Sequence, residues 1–505
     1  MSTGEIDRYS SRVLAEFMAR RKIEKAMAKR SGPGFSAAMM SRLTAGMPTS
    51  TLAVNAELDN ALGPLRARAR SLAVNYEHGR RFLSLVAANI IGADGPTLQV
   101  RAMRDTGGLD VTANDAVEMA FNQFQKQVDV RGLMDMAHLQ RVGVMAVARD
   151  GDVLIRKRVT RDAFQVQLLE ADRLDENING ATKEGNQVRL GVEVDTMGRP
   201  VAYHVRTRHP NDNWRNNGGD FVERISASEI YHPWLPVRPE QVRGYSWMHA
   251  VIIKSGLLNK FSEAAVTAAT IGASKMGVFT RKEGADGAAL AQLGDGEQDN
   301  ALQMSAEAGE FFELPAGYSL ETWDPQYPNE QFGGFVKACM RSMATGLDVA
   351  AHNLSGDMTD VNFSSARIAE LSERDSWMTL QQWWINSVTM PIYRDWLAWA
   401  LARGDITFPS GSALPASRYE KFLRASKFFG RRWGWVDPLK DIQASREAIA
   451  EGLASRTEIA ANKGREWTEI VAELAEEEAV LKAAGIPRAT ITPAVPDAAP
   501  EGASA

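Results

Sequence analysis

DGDVLIRKRVTRDAFQVQLL, residues 150–169, is the stretch where the hydrophobic period of this chain changes. Before it, Leu133, Met134, Met136, Leu139, Val142, Val144 and Val147 recur at helical spacing and predict a helix over 131–149, one without an evident cap. Asp150-Gly151 is a turn dipeptide. After it come Val153, Leu154 and Ile155, then Phe164-Gln-Val-Gln-Leu168, whose strict alternation is the signature of a half-buried strand. Residues 187–195 and 200–207 form two further alternating runs, joined by Asp195-Thr-Met-Gly198 as a hairpin with a loop longer than two residues. Phe221 to Trp234 holds one or two more short strands. A β-rich block over 150–240 thus sits between helical blocks, and the expected fold class is α+β, long helices with a β-rich insertion.

Working outward, residues 60–91 carry one helical pattern (Leu65, Leu72, Val74, Phe82, Val86) stopped by Gly92, and another helix fits 113–127. Residues 9–30 read as a basic helix broken by Ser31-Gly-Pro-Gly34, and the polar stretch to about 60 is expected to be a partly disordered arm, mobile or ordering only on a partner. Downstream, Ser246 caps a helix running to about Ser274, Ala-rich from Ala264. Met276–Phe279 reads as a strand, 284–300 as a loop with a short helix, and 303–323 as strand-like. Phe332–Leu347 is helical. A long helix follows from Ser364 with Ile368, Leu371, Trp377, Leu380, Trp384 and Val388, kinked by Pro391 before Trp396 to Ala402. Helices over 438–452, 456–463 and 467–484 precede an Ala/Pro-rich tail from Pro487, expected to be disordered.

Composition excludes several classes. With one cysteine, Cys339, there is no disulfide framework and no zinc site built on Cys pairs, and assembly in a reducing cytosol is expected. No apolar run approaches a membrane span, and charge occupies the place of a signal peptide's apolar core, so no membrane partner is expected. A net charge of −5 argues against a broad nucleic-acid-gripping surface. There is no Gly-Lys dipeptide and hence no phosphate loop, no Gly-x-Ser-x-Gly and no His-Glu-x-x-His; Gly294-Asp-Gly296 lacks a third glycine in register. His204, His209 and His232 fall in the β block and open a metal-dependent hydrolase as a remote alternative; ordinary strand and loop histidines are the expectation. Asp357 and Asp360 are two loop acids near His352. Trp377, Trp383, Trp384, Trp396 and Trp399 have helical, core-packing spacing, and Trp433 and Trp435 beside Arg431 and Arg432 fit an interdomain corner better than a base-stacking platform. No catalytic, cofactor or metal residue is assigned.

Three segments together resemble the lambda-type portal proteins of tailed bacteriophages: Ile230-Tyr-His-Pro-Trp234 with Arg243-Gly-Tyr-Ser-Trp247; Thr345-Gly-Leu-Asp-Val349 with Asn362-Phe-Ser-Ser-Ala-Arg367; and Trp433 to Asp441 followed by Gly452-Leu-Ala-Ser-Arg-Thr-Glu458 and Gly464. The resemblance covers roughly residues 10–485. It implies a non-enzymatic subunit of a dodecameric ring with wing, stem, clip and crown, set at one capsid vertex. Through that ring double-stranded DNA is packaged and later ejected. The implied partners are the terminase large subunit, major capsid and scaffold proteins and head-tail joining proteins, with assembly in the host cytoplasm. The corresponding regions are a basic arm (1–60), a helical wing and first stem part (61–149), a β-rich wing and clip region (150–243), a stem helix (244–275), wing strands and the tunnel-loop region (276–363), the long kinked wing helix (364–430), a helical crown (431–486) and a tail (487–505). By the same analogy 131–149 is the candidate partner of the stem helix, and 324–332 or 352–363 the channel-lining loop. Another head or neck structural protein is the runner-up.

Overall fold

The computed structural model describes residues 46–212, 221–273, 277–281, 318–322, 332–359, 362–433, 438–462 and 467–484, with isolated positions besides. The expected basic helix at 9–30 (all but Met18, Arg21 and Lys22), the loop at 284–300, Gly294-Asp-Gly296, Trp435 and the tail from 487 lie outside the described residues. The chain divides into two units, Met1–Glu57 and Leu58–Ala505. In the first, the described stretch 46–53 is exposed and irregular before a helix begins at Val54. All that follows concerns the second, apart from the first turn of that helix.

The single helical pattern at 60–91 is two helices, α1 (Val54–Asn75) and α2 (Glu77–Val86), the latter continuing into a π-turn over Ala87–Ile91. Tyr76 takes an extended conformation between them. The apolar spacing does not register this break because Leu72, Phe82, Leu83 and Val86 all face one core. β1 (Thr97–Val100), α3 (Val111–Gln125) and α4 (Met136–Asp150) follow. Contrary to the sequence reading, α4 is capped: the Asp135 carboxylate accepts from the His138 amide at 2.7 Å, satisfying one orphan donor of its first turn.

The β insertion makes two antiparallel sheets. β2 (Leu154–Val159) lies between β3 (Phe164–Leu169) and β9 (Ile230–Tyr231). The second sheet runs β4 (Gly180–Ala181), β5 (Gln187–Arg189), β6 (Val192–Val194), β7 (Pro200–Arg206), β8 (Val222–Ser226). The run read as one strand at 187–195 is therefore a hairpin. Leu190 and Gly191 both take positive φ (52° and 81°), as a tight two-residue connection requires.

Regular helix α5 (Ile252–Ala273) starts six residues after Ser246, whose buried hydroxyl accepts from the Met248 amide and donates to the Ala148 carbonyl. β10 (Gly277–Arg281) and β11 (Tyr318–Thr322) pair with each other, and α6 (Phe332–Gly346) returns antiparallel to α5. Phe261 stacks on Phe332, and Lys254 donates to Ser342 farther along. The helix at 131–149, expected to partner α5, instead lies in the core as α4, packed on α2 and its π-turn. α7 (Ala351–Ser355) leads to α8 (Phe363–Trp384), a second π-turn (Ile385–Thr389) and α9 (Met390–Arg403). The expected interruption at Pro391 takes this form. α10 (Tyr419–Ala425) and β12 (Ser426–Phe429) come next, β12 pairing with β1. α11 (Pro438–Ala450), α12 (Arg456–Asn462) and α13 (Trp467–Ala483) close the described chain.

The core is aromatic at its centre. Phe121 meets Tyr393, Trp396 and Phe428 edge-on at 5.1–5.7 Å, and the buried Trp384 donates to Gln140 at 2.9 Å.

The two sequence features of greatest interest meet here. Gly151 and Gly244 touch backbone to backbone: a Cβ on Gly244 would stand 2.0 Å from the Gly151 carbonyl oxygen. Gly244→Ala should therefore cost roughly 1–3 kcal/mol or more through overpacking. Gly256→Ala, inside α5 with nothing within 4 Å, should be neutral or stabilising by about 0.5–1 kcal/mol. Chemical denaturation midpoints of the two variants check this; equal midpoints would contradict the packing.

Candidate functional site: a buried charge centre beneath an uncovered helix pair

The segment Arg243–Trp247 docks on the turn that ends α4. Its side chain Arg243 is fully buried and donates to both carboxylate oxygens of Asp152 and to the carbonyls of Leu190 and Ala171 at 3.2 Å. His232, also buried, sits with Nε2 3.1 Å from Asp152. Burial opposes ionisation of Asp152, but Arg243 and His232 outweigh it and hold the carboxyl well below its usual range. Burial keeps the His232 pKa below its ordinary value despite Asp152, so the ring is neutral and its Nε2–H donates. The Tyr203 ring packs edge-on against it at 5.3 Å.

A second layer of charge surrounds the first. Asp150, buried at the end of α4, accepts from Arg70 (2.9 and 3.1 Å) and Arg149 (2.9 and 2.6 Å). Arg70 also reaches Asp172, and Arg66, one turn earlier on α1, pairs with Asp172 (3.4 Å) and Glu176. Helix α1, the end of α4 and the loop that follows β3 are thereby tied through charged hydrogen bonds. Sequence reading picked out Arg243 by resemblance but missed Asp152, Asp150, Arg66 and Arg70. Their spacing on α1 and around Asp150-Gly151 is that of ordinary surface charge.

Above this centre, α5 leaves the body. The Trp247 amide donates to the Ala148 carbonyl at 3.0 Å, which fixes its direction of departure. Its own apolar residues are largely uncovered: Ile253 is 75% exposed, Leu257 63% and Val266 67%, with Phe335 of α6 at 51%. Ile253 and Leu257 share one side of α5, while Val266, nine residues beyond Leu257, stands on the opposite side, so bare apolar side chains mark both sides of the helix.

The remaining candidates separate. His232 belongs to Asp152, His204 lies 3.6 Å from Glu193, and His209 lies 3.3 Å from Glu170 and 3.7 Å from Asp172. The structure does not gather the three into one site. Glu170, Asp172 and His209 do bring ligand-type atoms within 4.8 Å of one another. However, His209 Nδ1 accepts from the Asn211 amide at 3.2 Å, which leaves the proton on the Nε2 that faces the carboxylates. Asp172 is moreover engaged by two arginines, so the cluster is built as an ion-pair network. Hydrogen bonds from Arg224 and Asn186 set the Glu193 carboxyl down to about 2, against burial, which pushes it up. Asp357 accepts from the Thr359 side chain and amide and faces Lys337, which lowers it to about 2; Asp360 lies outside the described residues. Trp377, Trp384 and Trp396 are buried in the core with Trp383 and Trp399 against it. Trp433 packs under Arg431 and Arg374 and donates to Asn89.

Residues 40–381 match the profile of the phage portal proteins, lambda family. The chain belongs to that family. Among similar portal proteins, the probable portal protein of Halomonas phage phiHAP-1 is 30% identical over 432 residues, 84% of this chain and 81% of the relative. Portal protein B of Escherichia phage lambda is 21% identical, covering 73% of this chain and 74% of its own. Among solved structures, a chain in the neck of an empty gene transfer agent particle superposes with a TM-score of 0.42 at 15% identity, over 79% of this chain and 93% of that one. A chain in the neck of the native particle, solved with C12 symmetry, gives 0.41 at 15% identity, over 79% and 94%.

The charge centre of this portal-family chain makes its stability pH-dependent with a definite sign. The buried His232 refuses a proton that the unfolded chain accepts below about pH 6.5. Stability is thus full above that pH and falls as pH drops through it. Asp152 adds a second loss, beginning below about pH 3.9, where the unfolded carboxyl protonates and the folded one does not. His78, lowered chiefly by burial, acts in the first direction too. His232→Gln should therefore flatten, without abolishing, the decline between about pH 6.5 and 5. Denaturation midpoints measured across that range, wild type against variant, check it; parallel curves would contradict the assignment.

Proposed function

We propose that this chain is the repeating subunit of a closed, dodecameric ring at one capsid vertex, the conduit through which double-stranded DNA is packaged and later ejected. The observation that carries the reading is the uncovered apolar surface of α5 and α6 on a chain of the portal family. In a ring, each subunit meets one neighbour on either side in head-to-tail contacts, and a helix with bare Ile253 and Leu257 on one side and bare Val266 on the other offers apolar surface to both. The antiparallel α5/α6 pair is then the stem. The antiparallel β10/β11 pair, which lies between α5 and α6 in the sequence, is the clip, a role that the sequence reading gave to part of 150–243. The stretch between α6 and α8 is the channel-lining loop, the long kinked helix α8–α9 belongs to the wing, and α11–α13 form the crown.

A conduit must centre DNA without pinning it, and an overall acidic chain, net charge −5, suits that task better than a basic groove. Energy for packaging comes, in this reading, from the terminase large subunit docked on the ring, since the chain has no phosphate loop of its own. Major capsid and scaffold proteins surround the ring, and head-tail joining proteins follow it in the assembled virion.

Sedimentation of purified protein tests the assembly mode. Wild-type chain should run as a single large species, whereas Leu257→Asp with Val266→Asp should shift it to monomer with unchanged far-UV circular dichroism. A wild-type chain that stays monomeric at micromolar concentration, or a double variant that still assembles, would contradict the proposed contacts.

A further inference from the structure

A groove of about 500 Å³ runs beside β12, on the side away from β1. Among the described residues β12 has a single strand neighbour, β1. The Arg101 amide donates to the Ala425 carbonyl at 3.0 Å, and the register sets Gln99 opposite Lys427 and Thr97 opposite Phe429. Antiparallel alternation then turns the backbone groups of Lys427 and Phe429 towards β1 and those of Phe428 towards the groove. An unpaired strand edge of this kind is a template for a further strand.

The opposite wall is the end of α8 and its π-turn, with Met378, Gln382, Ile385 and Asn386 facing the strand. π-turns are rare and concentrate at functional positions. The chemistry of the groove is one-sided. Lys427 and Arg432 are exposed at its rim, no carboxylate lines it among the described residues, and Met378 and Ile385 give it an apolar floor, while the Phe428 ring is turned into the core.

We propose that this groove receives an extended acidic peptide segment of a partner protein, which adds to β12 as a strand. Its backbone pairs with Phe428, its carboxylates on one face meet Lys427 and Arg432, and its alternate apolar side chains enter the Met378/Ile385 side. The described strands of this chain do not offer such a segment. β8, the exposed edge of the five-stranded sheet, carries Glu223 beside Arg224, and the acidic run Glu473, Glu476, Glu477 and Glu478 is on a helix. Among the described segments, charge complementarity thus favours a different protein over a second copy.

The test uses the full-length assembled protein and a short fluorescein-labelled peptide of alternating Val and Glu, at physiological salt. Anisotropy should report saturable binding, and amide hydrogen exchange at 426–430 should slow on addition of the peptide. Lys427→Glu with Arg432→Glu should weaken binding at least tenfold without changing sedimentation. A peptide N-methylated at alternate residues along its pairing edge should bind at least tenfold more weakly too. Equal binding by the N-methylated peptide would reduce the effect to surface charge and overturn strand addition. Binding indifferent to the double variant, or no binding while 426–430 exchange freely, would overturn the site. Protection of 426–430 in assembled protein before any peptide is added would mean that a neighbouring copy fills the groove, and would overturn the proposed partner.

Discussion

Arg243 and Asp152 face each other with essentially no solvent contact, and the seating of the β insertion on the helical body depends on that pair. Two buried charges are a liability unless every donor and acceptor is used. Here both carboxylate oxygens are engaged, and the guanidinium reaches two carbonyls besides, one on the Leu190 turn and one at Ala171. Removing one partner of such a pair leaves the other charge stranded, at a cost of about 3–5 kcal/mol. The two residues are 91 positions apart and stand on either side of the β insertion. Their contact closes the insertion as a loop on the helical body.

That closure has a directional consequence. Because Gly151 and Gly244 meet backbone to backbone and Trp247 donates to Ala148, the chain re-enters the helical body at a fixed angle just before α5. Helix α6 returns along α5, so the pair projects as a unit whose outer apolar side chains the subunit itself does not cover. A rigid base carrying a sticky, oriented projection is what ring closure demands: the angle between successive subunits must be set by packed structure and cannot be left to a hinge.

The fold class and most helices were legible in the sequence because long amphipathic periods survive any tertiary context. Pro391 correctly marked the interruption between α8 and α9. What escaped were features with no periodic signature. Tyr76 breaks a helix whose two halves bury the same face, so the pattern runs through it. Leu190-Gly191 hides a hairpin inside an alternating run, since a two-residue turn preserves the alternation. The partner of α5 was misjudged because α4 and α6 have similar apolar spacing, and only the fold shows that α4 is consumed by the core around Trp384. In the charge centre, Arg243 was visible through its segment's resemblance to the portal proteins. Asp152 was hidden within a turn-like Asp-Gly-Asp, and Arg66 and Arg70 looked like the exposed face of α1. Burial of a charge is decided by what arrives from elsewhere in the chain, and local sequence carries no record of it.

The central claim, that this chain is a ring-forming conduit, is tested most directly by electron cryomicroscopy of the purified full-length protein. The account predicts closed rings with an axial opening wide enough for duplex DNA and with the α5/α6 pairs lining the narrow part of the channel, side by side with those of neighbouring subunits. Rings in which α5 and α6 face bulk solvent on the outer rim, or particles that never close around an axis, would contradict it.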